Sequence, residues 1–72
     1  MKRITIIYKN NSNPFIQILN DVDADTLYNL IVTTKLSDNQ NKMVRVVSDS
    51  MMRIIDTNEI IDCILTVEID NV

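Results

Sequence analysis

The chain contains no glycine, and this absence restricts both its turns and its chemistry. Positive backbone φ angles strain most residues, and asparagine tolerates them best after glycine. The sequence therefore predicts that asparagines occupy any left-handed turn positions, as in the stretch NNSNP at residues 10–14. Loops that bind nucleotide phosphates need glycine, because a Cβ atom blocks the close approach of backbone to phosphate. We therefore expect neither a P-loop nor a dinucleotide-binding site.

Histidine is also absent, and Cys63 is the only cysteine. Ser-His-Asp and Cys-His catalysis both need histidine, and one thiol with scattered carboxylates does not make a structural zinc site. Cys63 lies between Ile61 and Leu65 without a neighbouring cation, which favours a core position over a reactive thiolate. We predict that the protein is not an enzyme and holds no cofactor or metal ion.

An acidic stretch, DVDAD, opens the best helix candidate, with Asp21, Asp23 and Asp25 at alternate positions. A calcium-binding EF-hand loop begins in the same way, but it needs glycine at its sixth position and glutamate at its twelfth. Those positions hold Thr26 and Val32. We predict instead that Asp23 is the helix N-cap and that the acidic side chains lie at the positive end of the helix.

Hydrophobic periodicity predicts one helix and five strands. Residues 3–9 alternate as a half-buried strand, residues 15–20 resume an extended run, and residues 42–48 and 51–55 form a hairpin around Ser48, Asp49 and Ser50. The helix follows Asp23 and places Leu27, Leu30, Ile31 and Thr34 on one core-facing stripe, with Val22 and Leu27 as a hydrophobic staple. The order β-β-α-β-β-β predicts an α+β fold over a single domain, residues 1–72, with one helix packed on a small antiparallel sheet.

The last segment is predicted to be a strand, because its residues are mostly β-branched and alternate over many positions. Its inward side chains are Ile61, Cys63, Leu65, Val67 and Ile69, and its outward side chains include Ile60, Ile64 and Thr66. The preceding DTNE, residues 56–59, is either a plain turn or a single helical turn capped by Asp56.

The chain has more apolar side chains than its small core is expected to cover, which predicts an interface. A chain of 72 residues buries only about 60% of its unfolded surface, so without disulfide or metal we expect a homo-oligomer such as a homodimer. One helix cannot cover five strands, and the uncovered apolar side chains mark a contact surface. The predicted interface residues are Ile7, Met51, Arg53, Ile60, Ile64 and Thr66.

Charge and hydropathy narrow the class of partner. The formal net charge is −3, and no basic run interrupts it, so nucleic acid is not an expected partner. No stretch reaches the length of a transmembrane segment or of a signal-peptide core. We expect a cytoplasmic protein of a bacterium or of a phage-infected bacterial host, without membrane attachment.

These exclusions favour a small protein-interaction module that acts as a homo-oligomer and binds and modulates or inhibits a host or cellular protein. Acidic, glycine-free chains of this size with AT-rich coding bias are typical of phage or mobile-element accessory proteins. Two alternatives stay open. One is a structural self-assembling protein. The other binds a small ligand or nucleotide in a pocket at a subunit interface, lined by Arg45, Arg53 or Lys35.

Overall fold

The computed structural model describes residues 1–10, 13–48 and 51–68 of the chain. The elements in order are β1 (Lys2–Tyr8), β2 (Phe15–Leu19), α1 (Asp21–Leu36), β3 (Met43–Ser48), β4 (Met51–Asp56), a 3-10 turn (Thr57–Glu59) and β5 (Ile60–Val67). This confirms the predicted α+β class and the order β-β-α-β-β-β. The strands divide between a three-stranded antiparallel sheet, β2-β1-β5, and a two-stranded antiparallel ribbon, β3-β4.

Five predicted positions fall outside the described residues. Residues 11–12 belong to the stretch NNSNP, where asparagines were predicted to occupy left-handed turn positions. Asp49 and Ser50 belong to the predicted turn between β3 and β4, and Ile69 was placed on the inward face of the last strand. The backbone pairing of Ser48 with Met51 nevertheless confirms the predicted hairpin.

The start of the helix differs from the prediction. Asn20, not Asp23, is the N-cap: the Asp23 backbone N–H donates to Asn20 Oδ1 at 2.8 Å, and Asn20 Nδ2 donates to Asp23 Oδ2 at 2.8 Å. Asparagine caps as well as aspartate, and an acid three residues later can bond back to it. Because the helix therefore begins at Asp21, Val22 lies inside its first turn with 73% of its surface exposed, and the predicted staple is wrong.

The helix packs through a narrower stripe than predicted. Leu27 and Ile31 are buried as expected, together with Ala24 in the first turns. Leu30, assigned to the same stripe, keeps 45% of its surface exposed, which is a correction to the prediction. At the far end, Lys42 Nζ donates to the carbonyl oxygens of Thr34, Lys35 and Ser37. A cation at this position complements the negative end of the helix and bonds its free carbonyls.

The 3-10 turn anchors the chain just before β5. Asp56 caps it, with Asp56 Oδ1 accepting from the Asn58 backbone N–H at 2.9 Å, so the helical alternative for this segment is the one observed. Thr57 is fully buried. Its backbone N–H and its Oγ1 both donate to the Lys42 carbonyl, at 2.9 and 2.7 Å. The start of β5 is therefore held against the segment that follows α1.

A single core joins the helix, the sheet and the ribbon. Its buried members come from every one of these elements: Ile4 and Ile6 of β1, Phe15 of β2, Leu27 and Ile31 of α1, Val44 and Val46 of β3, Ile55 of β4 and Ile60 of β5. The ribbon therefore contributes buried valine and isoleucine to the same cluster as the three-stranded sheet. Cys63 and Leu65 are half-buried and pack against it.

A β-bulge reverses the predicted orientation at the start of β5. Ile7 lies opposite Asp62, and Tyr8 lies opposite Ile60, so Ile61 has no partner in β1. One extra residue shifts the alternation of side chains by one position. As a result Ile60 is 1% exposed and Ile61 is 60% exposed. The outward orientation predicted for Ile60 and the inward orientation predicted for Ile61 are both wrong.

Candidate interaction surface

One face of the three-stranded sheet points away from the helix and the core. Strand register assigns its members, which we call the outer face: Arg3, Thr5 and Ile7 of β1, Ile16 and Ile18 of β2, and Asp62, Ile64 and Thr66 of β5. Ile16 is 57% exposed, Ile18 48% and Ile64 41%. Within the described parts of the chain, neither the helix nor the ribbon packs on this face, because both pack on the opposite one.

The structure brings together three of the predicted interface residues. Ile7, Ile64 and Thr66 all lie on the outer face. Ile60 does not, because its side chain is in the core.

The two remaining predicted residues belong to the ribbon. Arg53 stacks over the ring of Phe15, with Cζ 4.9 Å from the ring centroid. The backbone of Met51 pairs with Ser48, and its side chain lies outside the described residues.

Ile16 and Ile18 were missed by the sequence analysis, although they form the most exposed apolar part of the outer face. A signal for them exists in FIQIL, where isoleucine alternates with Phe15, Gln17 and Leu19. Both sets are largely apolar, so alternation alone does not separate the buried set from the exposed one. The pairing of Ile16 with Thr5 decides the question, because it places Ile16 on the side opposite to Ile4 and Ile6.

The outer face has an apolar middle between charged ends. Arg3 lies at one end, with its Nε 2.6 Å from Glu68 Oε1. Asp62 lies at the other end, opposite Ile7. Protein–protein interfaces have the same organisation, with an apolar centre and a polar rim. Arg3 is already paired within the chain, so the isoleucines are the groups that a partner would desolvate.

The ribbon carries a second exposed apolar surface. Met43, Val47, Met52 and Ile54 are each more than half exposed, and register places them with Arg45 on the side of the ribbon away from the core. Methionine side chains are flexible and polarizable, so Met43 and Met52 suit this surface to adaptable contacts.

A cavity of about 210 Å³ lies between α1 and the start of β5. Tyr28, Val32, Ile61 and Cys63 contribute to its lining, as does Lys35. Lys35 Nζ also donates to the Thr57 carbonyl at 3.0 Å. Small-molecule pockets typically measure about 300–1,000 Å³, so this one is small for a nucleotide. Arg45 and Arg53, the other cations considered for a ligand pocket, lie on the ribbon.

The Cys63 thiol is held in its protonated form. Burial raises its pKa from 9.0 to about 11, and the negative charge of the adjacent Asp62 adds to the rise. A thiol is activated by the opposite environment, namely a nearby cation or a helix N-terminus. The structure therefore gives Cys63 the character of a packing residue rather than of a nucleophile.

This environment predicts slow alkylation of Cys63. At about pH 8 the folded protein should react with iodoacetamide about 10- to 100-fold more slowly than the same protein in concentrated urea, because a pKa higher by two units lowers the thiolate fraction about a hundredfold. The half-exposed position of the side chain reduces the effect. Rates are followed by mass spectrometry over a pH series, and the folded rate should still be rising above about pH 10. Equal folded and unfolded rates would contradict the assignment.

The acidic side chains at the start of the helix have partners within the chain. Asp23 bonds to Asn20, and Asp25 Oδ1 accepts from Lys2 Nζ at 2.7 Å. Among residues 1–10, 13–48 and 51–68, no group of three or more histidine, cysteine, aspartate or glutamate side chains is arranged to hold a metal ion. In the same residues, α1 does not combine the length and the apolarity that a bilayer-spanning helix requires.

No protein-family model matches the chain, and no significant match was found among curated proteins or solved structures.

Proposed function

We propose that this protein is a non-enzymatic protein-interaction module that acts as a homo-oligomer and binds a host or cellular protein through the outer face, thereby modulating or inhibiting it. The observation that carries the proposal is the exposure of Ile16, Ile18 and Ile64 at 57, 48 and 41% on one face of a packed sheet. Exposed apolar side chains gathered on one face of a sheet are characteristic of protein contact sites.

The physical character of these side chains suits them to binding. Isoleucine is β-branched and stiff at χ1, so it loses little rotamer freedom when a partner covers it. The three residues project from backbone that is paired with β1, and β1 is buried on its other face at Ile4 and Ile6. Little reorganisation is therefore needed before contact, and the partner should offer a flat apolar patch of its own.

The charges at the two ends of the outer face are expected to orient a partner protein more than they strengthen its binding. Asp62 is exposed at one end, and the pair formed by Arg3 and Glu68 occupies the other. Rim charges mainly affect the rate and the selectivity of association. A partner with a basic residue placed over Asp62 would be preferred, which agrees with the net negative charge of the chain.

The test compares two double variants that carry the same added charge. Ile16→Lys/Ile18→Lys places two cations on the outer face, and Thr26→Lys/Asn29→Lys places two on the exposed side of α1. Each protein is immobilised and exposed to lysate of the organism that encodes it, and the bound partner is then purified and titrated by calorimetry.

We expect the wild type and the helix variant to bind the partner equally. The outer-face variant should bind it at least about a hundredfold more weakly, because loss of a central apolar contact costs about tenfold or more in Kd for each residue. Circular dichroism checks that both variants are folded. Equal binding by all three proteins, or recovery of no partner by the wild type, would refute the proposal.

A further inference from the structure

The free edge of β5 has the composition of a strand that is paired on both sides. β5 pairs with β1 along one edge, and among the described strands none pairs with the other. Six of its eight residues are apolar, and Asp62 is its only charge. Near-continuous apolar runs are typical of strands inside a sheet, whereas edge strands are usually protected by lysine, proline or several charges. The bulge at Ile61 leaves the backbone from Asp62 onward in regular register.

We propose that a second copy of the chain occupies this edge, with the two β5 strands antiparallel about a twofold axis at Ile64. The two three-stranded sheets then become one continuous sheet. The proposal specifies the homo-oligomer named under the proposed function and rests on it for the existence of that oligomer. A second copy is the occupant because β5 is complementary to itself, as its side chains show.

Symmetry limits the possible registers. A twofold axis perpendicular to the sheet keeps each face on its own side, so directly opposed residues must come from the same face. Centring on Leu65 places Asp62 opposite the partner's Glu68, and like charges directly opposite one another are destabilising. Centring on Cys63 places Asp62 opposite the partner's Ile64, where the carboxylate would face an apolar side chain.

Centring on Ile64 gives compatible opposed pairs over residues 62–66, which lie beyond the bulge. Ile64 meets its own copy, and Cys63 lies opposite the partner's Leu65. Asp62 lies opposite the partner's Thr66, whose hydroxyl can donate to the carboxylate. In the joined sheet the partner thus covers Ile64, 41% exposed on the outer face, and the half-buried Cys63 and Leu65 on the other face.

The same arrangement enlarges the binding surface. Because the axis keeps both outer faces on one side, the two copies of Ile64 become neighbours across the junction. Ile7 lies one strand farther out in each copy, on β1. Ile16 and Ile18 lie farther out in each copy, on the opposite edge strand β2. The dimer therefore presents one apolar surface with charged residues at its ends.

Disulfide trapping tests the register in the purified protein. In the double variant Cys63→Ser/Ile64→Cys, the two introduced thiols lie directly opposite, with Cα atoms about 4.5–5.5 Å apart, within the range for a disulfide. In the wild type the two Cys63 residues are offset diagonally at about 7–8 Å, beyond easy reach. The matched control is Cys63→Ser/Ile18→Cys, at a comparably exposed isoleucine of the other edge strand.

We expect mild oxidation to convert the Ile64→Cys variant almost completely to a covalent dimer on non-reducing gels, and to leave the wild type and the control largely monomeric. Dominant cross-linking through Cys63 would overturn the register. Equal cross-linking of the control would show random collision and overturn the proposal. No cross-linking together with a monomeric mass by light scattering would also overturn it.

A variant with an added charge tests the register of the two β5 strands independently. Thr66→Asp places a carboxylate opposite the partner's Asp62 twice in each dimer, whereas within the chain Thr66 lies opposite Arg3 and the fold should tolerate it. Sedimentation should show dimer dissociation with a Kd at least about tenfold higher than in the wild type, and an unchanged Kd would contradict the pairing. If the protein is a monomer but its binding to the partner still depends on Ile16 and Ile18, only the β5 pairing is refuted. If the dimer is trapped by oxidation but no partner protein is recovered, only the proposed binding function is refuted.

Discussion

Replacing Ile60 with alanine lowers the free energy of unfolding by about 2–5 kcal/mol, whereas the same change at Ile61 lowers it by less than about 1 kcal/mol. The two residues are adjacent and chemically identical, so any difference comes from their surroundings. Ile60 is 1% exposed and belongs to the core cluster, and Ile61 is 60% exposed. Truncating Ile60 removes buried methyl groups and leaves a cavity between β5, the helix and the 3-10 turn.

The effect at Ile60 is large for a protein of this size. Domains have about 0.05–0.15 kcal/mol of stability per residue, so a chain of 72 residues is expected to have a few to about ten kcal/mol in total. Urea unfolding followed by circular dichroism measures both variants at one fixed protein concentration, because the apparent stability of an associating protein depends on its concentration. Equal losses would contradict the difference in burial, and a larger loss at Ile61 than at Ile60 would mean that β5 runs without the bulge.

This pair of residues also shows where prediction from the sequence ends. The alternation in β5 correctly indicated a strand, and it correctly placed Cys63 and Leu65 toward the core. It failed at Ile60 and Ile61 because a bulge depends on how Tyr8 of the distant strand β1 is paired. A local pattern contains no information on a pairing partner, so a shift of one residue cannot be read from it.

The helix illustrates a different limit. Its existence and its approximate length followed from local signals, namely an N-cap residue, an acidic first turn and buried residues spaced by four. The choice between Asn20 and Asp23 as the cap did not, because both are strong capping residues. The bond from the Asp23 backbone N–H to Asn20 Oδ1, which identifies Asn20 as the cap, is visible only in the structure.

The candidate surface was predicted only in part, because local alternation does not show which strands pair with one another. The alternation of β1 and β5 assigned three interface residues to the solvent-facing side of their strands, namely Ile7, Ile64 and Thr66. In the structure they share one face of the sheet. Ile16 and Ile18 escaped notice because β2 is apolar on both sides. Arg53 was assigned to an interface, and the structure shows it over Phe15. That contact joins β4 to β2, which are far apart in the chain, and the division of the strands into a sheet and a ribbon depends on such long-range packing.

Phe15 is the residue whose loss should most weaken the attachment of the ribbon. Its ring is 7% exposed and packs in the core, and the guanidinium of Arg53 lies above it at 4.9 Å. Phe15→Ala should lower the free energy of unfolding by about 3–5 kcal/mol, enough to leave much of a marginal protein unfolded at room temperature. Phe15→Leu retains most of the apolar volume, so it should remain folded while losing the aromatic face.

A double-mutant cycle separates the cation–π contact from burial. Arg53→Ala should cost about 0.5–1 kcal/mol in the wild-type background, the usual range for an exposed cation over a ring, and close to nothing in the Phe15→Leu background. Arg45→Ala, on the opposite side of the ribbon, provides the control and should have no such dependence. If Arg53→Ala costs the same in both backgrounds, its guanidinium does not hold the ribbon against β2. The attachment would then depend on the buried Val44, Val46 and Ile55 alone.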